Sequence, residues 1–207
     1  MASESSSRAG HDFLMRMYFK SHLGDWDSYI SRAYLDMSRT LHHFSECAKK
    51  DILKGAAVSI LKAALSKLAK NGDSASRTAF DKWHARTCER LLEVFPPSKR
   101  SDDFEFHYGQ AQKWLNMTIK YSWLFPNGKR LEGWYAFAHF PIDEYILRAA
   151  KKRHLLRPNI SWSRWDQATY SDFQNKLTLS LGTHSDPLAV EHEWWLQEWA
   201  EENKRPL

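Results

Sequence analysis

Turn-forming residues are the strongest constraint on what this chain can fold into. Its eight glycines and seven prolines are few and fall largely between segments of helical period. No run of four or more alternating apolar and polar residues marks a strand, and no internal repeat is present. That distribution predicts an all-α fold: a compact helical bundle with a cleft that two lobes could flank. At 207 residues the chain is long enough to bury one core. Residues 1–12 are expected to be a disordered N-terminal segment, and residues 13–207 a single helical domain.

The individual segments carry helix signals. "WDSYISRAYLDMSRTLHHFSECAKK" places Tyr29, Ala33, Leu41 and Phe44 at near-helical spacing. In "DILKGAAVSILKAALSKLAKN" the predicted apolar stripe is Ile52, Ala56, Ile60, Ala63/Ala64 and Leu68, with lysines opposite and Gly72 as C-cap. Ser74 or Ser76 caps the next helix, whose predicted inner face is Phe80, Trp83, Cys88 and Leu91/Leu92. A helix follows from Ala111 to about Phe125, stopped by "PNGK". Pro141 suits a first helical position, which puts Asp143 in the first turn. Two more helices are predicted, from Ser163 and from Asp186-Pro187.

Bulk composition bounds the function classes. Hydrophobic residues are 43% and charged residues 27%, a globular rather than disordered balance. The run "GAAVSILKAALSKLA" is interrupted by Lys62 and too short to span a bilayer, so no membrane association is expected. Two cysteines, Cys47 and Cys88, cannot build a disulfide framework, which points to a reduced, cytoplasmic setting. They are also too few for an iron–sulfur cluster, and no histidine–carboxylate grouping stands out as a metal site. The net charge of +5 and pI near 9.1 permit a polyanionic partner, and ten tryptophans offer packing or base stacking.

One constellation carries chemistry. Gly109-Gln110-Ala111 is a small-x-small turn entering a helix, where backbone N–H groups could meet a phosphate. Lys113 follows near the helix start, where the helix field disfavours a cation unless it is solvated or held as a nucleophile. Thirty residues later Asp143 opens another helix after "FPI". If the two helices pack side by side, their N-termini converge and Lys113 and Asp143 share one cleft. A carboxylate could then stabilise an oxocarbenium-like sugar while the amine attacks its C1′.

The stretch "HYGQAQKWLNMTIKYSWLF…HFPIDEYIL" resembles the helix-hairpin-helix DNA glycosylase superfamily, in its lysine-bearing, 8-oxoguanine-glycosylase-like branch. The resemblance implies a hairpin and catalytic segment within 104–153, with Lys113 as nucleophile and Asp143 as activating carboxylate. It implies phosphate contacts from Gly109, Gln110 and Ala111, although alanine stands where the pattern has its second glycine. On that reading the enzyme flips out and excises a modified or damaged base of double-stranded DNA, for which a modified phage base is one setting. No cofactor, metal or obligate protein partner is implied. Trp134 and Tyr135 are the candidate base-pocket or wedge aromatics, with His139 as a pocket polar group. Lys99, Arg100, Lys129 and Arg130, in loops beside the hairpin, are candidate phosphate contacts.

Two other readings stay open. A non-enzymatic helical protein binding DNA or another partner would use the hairpin without Lys113 and Asp143. A helical ribonuclease with an Arg-x6-His pair would use Arg77…His84 or Arg100…His107 on a ribose 2′-OH and its phosphate.

Overall fold

The computed structural model describes residues 13, 16–19, 25–95, 104–125, 130–182 and 186–204. Among these, every regular element is helical: α1 Trp26–Ser38, α2 Lys50–Leu68, α3 Arg77–Val94, α4 Tyr108–Leu124, α5 Glu144–Lys152, α6 Gln167–Ser180 and α7 Pro187–Asn203. Residues 16–19 are helical as well, and four short 3-10 turns join the long helices. The expected all-α architecture holds, and residues 109–111, expected as a turn, are part of α4.

Several helices start where a side-chain oxygen can take an otherwise unpaired N–H. Asp25 accepts from Ser28 N at 2.9 Å, Ser76 from Ala79 N at 3.3 Å, and Asp166 from Thr169 N at 2.8 Å. Asp186 caps α7, with Pro187 at its first position. On α2 the stripe is rotated by about one residue from the predicted one. Ala57, Leu61, Ala64, Leu65 and Leu68 are buried, while Ile52 is 73% exposed. A helix rich in alanine offers two apolar faces of similar hydropathy, and contact with α1 and α3 selects between them. Gly72 is not a C-cap but opens a 3-10 turn pressed against the Glu132 carbonyl.

Helix α4 is the centre of the fold. It packs on α1, α3, α6 and the 3-10 turn Trp162–Arg164, so nearly all of its circumference is buried. Its polar residues therefore need internal partners. Asn116 Nδ2 donates to Gln112 Oε1 at 3.0 Å and to the Tyr170 hydroxyl at 2.9 Å. Gln112 Nε2 donates to the Gly109 and Ile142 carbonyls at 2.9 and 3.3 Å. The irregular segment 138–143 is held along α4 by these bonds and by Asn116 Nδ2 donating to Phe140 O at 3.3 Å. No helix among the described residues is long and apolar enough to cross a membrane.

Candidate active site

Asp143 is the N-cap of α5 rather than a first-turn residue, and its two carboxylate oxygens face different partners. Oδ1 accepts from Ile146 N at 3.0 Å, closing the first turn of α5. Oδ2 lies 2.7 Å from Lys113 Nζ, which also donates to the Pro141 carbonyl at 3.3 Å. The Lys113 side chain is 5% exposed and that of Asp143 16%. The pair is thus an ion pair out of bulk water yet reachable from one side. It is brought together by segment 138–143 lying along α4, not by α4 and α5 packing side by side.

The pair opens onto a cavity of about 420 Å³. Tyr18, Tyr121, Tyr145, Trp162 and Trp195 supply aromatic wall, and Met117 and Leu124 continue the α4 side. Most charges around it are matched. Asp36 takes the Tyr121 hydroxyl and Arg32 at 3.0 Å, and Glu144 takes Arg157 at 3.0 Å. Lys120, two turns beyond Lys113, reaches Glu191 of α7 at 2.5 Å. Glu191 is fully buried, and burial pushes its carboxyl above the ordinary range against the pull of Lys120 and then Lys113. Burial, and then Lys120, holds the His192 imidazole below its ordinary value.

The predicted DNA-contacting turn is corrected. Gly109, Gln110 and Ala111 belong to α4, which begins three residues earlier than expected, and they are buried. Gly109 N–H donates to the Trp165 carbonyl at 2.9 Å. A Cβ on Gly109 would come within 1.8 Å of Trp162 O, so glycine is required for close packing rather than for a phosphate. Gln110 accepts from His107 N at 2.9 Å and donates to Thr40 O at 2.8 Å. Lys99, Arg100 and Lys129 lie outside the described residues. Arg130 sits 3.7 Å from Glu132 and against the Tyr135 ring, away from the cavity wall.

The predicted pocket aromatics are corrected too. Trp134 is core, donating its indole N–H to Leu68 O at 3.0 Å. The Tyr135 hydroxyl accepts from Leu131 N at 2.9 Å and lies 3.1 Å from Ser122 Oγ. His139 is buried between Tyr170 and Asp81, each at 2.9 Å, and contacts the His84 ring. An indole, phenol or imidazole in a loop has a polar ring group to satisfy internally, and these three do so. Of the residues that line the cavity, Lys113 and Asp143 were expected, and most of the others come from separate elements. Met117, Lys120 and Leu124 had a local signal, standing at i+4, i+7 and i+11 from Lys113 on one helical face.

His84 offers nothing to the ribonuclease arrangement. Its Nε2 is 2.9 Å from Asn116 Oδ1, and Arg77 is turned to the Phe137 carbonyl at 2.7 Å. His107 lies 3.5 Å from Glu105, while Arg100 is outside the described residues. No group of three or more metal-ligating side chains occurs among the described residues. No protein-family model matches the chain, and neither a curated protein nor a solved structure matches it significantly.

Proposed function

We propose that this chain is a DNA glycosylase that extrudes a modified or damaged base and cuts its glycosidic bond with Lys113 and Asp143. The observation that carries the reading is the half-shielded Lys113–Asp143 pair, 2.7 Å apart, at the wall of an aromatic cavity. A base taken out of the duplex costs a few kcal/mol of stacking and pairing, which rings such as Tyr145 and Trp195 can offset.

The reaction follows from the two oxygens of Asp143. As the C1′–N bond breaks, its electron pair leaves with the base and positive charge builds on C1′ and the ring oxygen. Oδ2 faces that charge, while Oδ1 stays anchored on Ile146 N–H and keeps the carboxylate aimed. Lys113 passes one proton to the departing base and adds its lone pair to C1′. A second amine proton then passes to O4′ as the C1′–O4′ bond opens, and the nitrogen lone pair so freed forms a protonated Schiff base between Lys113 and the sugar.

Borohydride reduces such an adduct to a stable amine, so the test is trapping on duplexes carrying varied modified bases. A covalent protein–DNA band lost in Lys113→Gln, with duplex binding retained, supports the reading. Base release without any adduct, or an adduct that survives Lys113→Gln, overturns the role given to Lys113.

A further inference from the structure

Helix α4 sends Lys113, Met117, Lys120 and Leu124 into the cavity at i, i+4, i+7 and i+11, one continuous stripe along its wall. The two lysines are separated by seven residues of helix, about 10 Å of rise. With a sugar carbon at Lys113, that distance is the reach of a nucleobase with a contact at either end. Lys120 therefore stands where the far edge of the base would lie.

The surroundings of Lys120 are built. Its side chain is 6% exposed, and Glu191, 1% exposed, holds it from α7 at 2.5 Å. Lysine has three N–H donors, and among the described residues Glu191 is its sole charged partner. Glu191 meets Lys120 as an ion pair through Oε2, and neither of its carboxylate oxygens makes a hydrogen bond among the described residues. Burying a pair with so few hydrogen bonds is costly, which makes it a poor device for stability alone. Trp195 lies beside the ammonium, its ring centroid 5.9 Å from Nζ, leaving an aromatic face next to a cation. Burial, and then Lys120, lowers the neighbouring His192 imidazole from its ordinary value, and Lys120 stands on this wall two turns from Lys113, with Arg39 as a further lining cation.

We infer that Lys120, positioned by Glu191, is the leaving-group contact of the site: its ammonium holds the negative charge of the departing base. The inference rests on the base-excision reading. In the bond-breaking step the base takes the glycosidic electron pair and becomes an anion until it gains a proton. An ammonium at its far edge stabilises that anion more than the neutral base in the substrate, which is the condition for lowering the barrier. A purine anion without sugar or phosphate imitates the departing base.

The experiment is a calorimetric titration at neutral pH with urate, an anion, and hypoxanthine, a neutral purine. Urate is expected to bind about tenfold more tightly, the factor that one charge-assisted hydrogen bond supplies. In Lys120→Met/Glu191→Gln, which leaves no orphan charge behind, the preference should collapse towards unity. Equal affinity of the wild type for both purines overturns the inference and needs no variant to fold. Persistence of the preference in a folded double variant also overturns it. Displacement of urate by inorganic phosphate at comparable concentration would assign the ammonium to a phosphate instead. Borohydride trapping on the same wild-type protein separates the two levels. An adduct without urate preference removes only the role of Lys120, whereas urate preference with neither adduct nor base release removes the excision reading and leaves Lys120 as an anion contact.

Discussion

Lys113 and Lys120 stand two turns apart on one face of α4, and each meets a carboxylate from a different helix: Asp143 capping α5, Glu191 inside α7. The two pairs differ in what their acids do. Asp143 also closes a helix turn, whereas Glu191 has no second role among the described residues. Substitutions can therefore separate charge from capping at the first pair.

Asp143→Asn removes the charge and keeps the cap. Asparagine is as good an N-cap as aspartate, so α5 keeps its first turn while the charge facing the sugar is lost. Base release on a substrate duplex should fall by about 10²–10³-fold, the usual cost of removing one aimed electrostatic group. The melting temperature should also fall, because Lys113, 5% exposed, loses the carboxylate that offsets its burial. Asp143→Ala should lose the same activity and, in addition, about 1 kcal/mol of stability from the missing cap. Single-turnover kinetics together with urea denaturation distinguish the two variants.

Lys120→Met should cost about 3–5 kcal/mol, because it leaves the Glu191 carboxylate buried without its cation. Adding Glu191→Leu should recover most of that loss, since a well-packed apolar pair replaces a buried ionic one at little cost. Urea unfolding of the single and double variants reads the coupling directly. Additive losses in the two variants would show that the pair is not coupled in the folded protein.

Gly109→Ala tests whether this glycine serves packing or a phosphate. The added methyl would sit 1.8 Å from the Trp162 carbonyl, so the backbone of α4 or of the 162–165 turn must shift. We expect a stability loss of about 3 kcal/mol, at the upper end for overpacking. Weakened duplex binding with unchanged stability would instead favour the phosphate role.

Acidification should destabilise the fold through the buried histidines. Burial, and then neighbouring His139, holds His84 well below 6.5, and burial also lowers His139 despite Asp81. The unfolded chain therefore binds protons that the folded chain refuses. Stability from these groups is fully present above pH 6.5 and is lost as the pH falls below it. A melting-temperature profile should bend downward below that pH, and His84→Gln should flatten the bend. A profile unchanged by His84→Gln would place the acid sensitivity elsewhere.

What the amino-acid order settled by itself was local. Asp25, Ser76, Asp143, Asp166 and Asp186 each reach an N–H two or three residues on, so helix starts depend on neighbours in the chain; those after Ser76 and at Asp186-Pro187 were legible there, whereas α6 starts at Gln167 instead of the expected Ser163. The all-α class and the pairing of Lys113 with Asp143 could also be anticipated from spacing and motif. Tertiary structure decided most of what else depends on more than one element. It chose which face of α2 turns inward, because Leu61 and Ile60 have similar hydropathy and only α1 and α3 distinguish them. It made Gly109 a packing residue, because the backbone pressing on it comes from residues 162–165, far along the chain. It sent Trp134 and His139 into the core and brought Tyr145, Trp162 and Trp195 to the cavity, because a wall is assembled from side chains whose sequence distances carry no period.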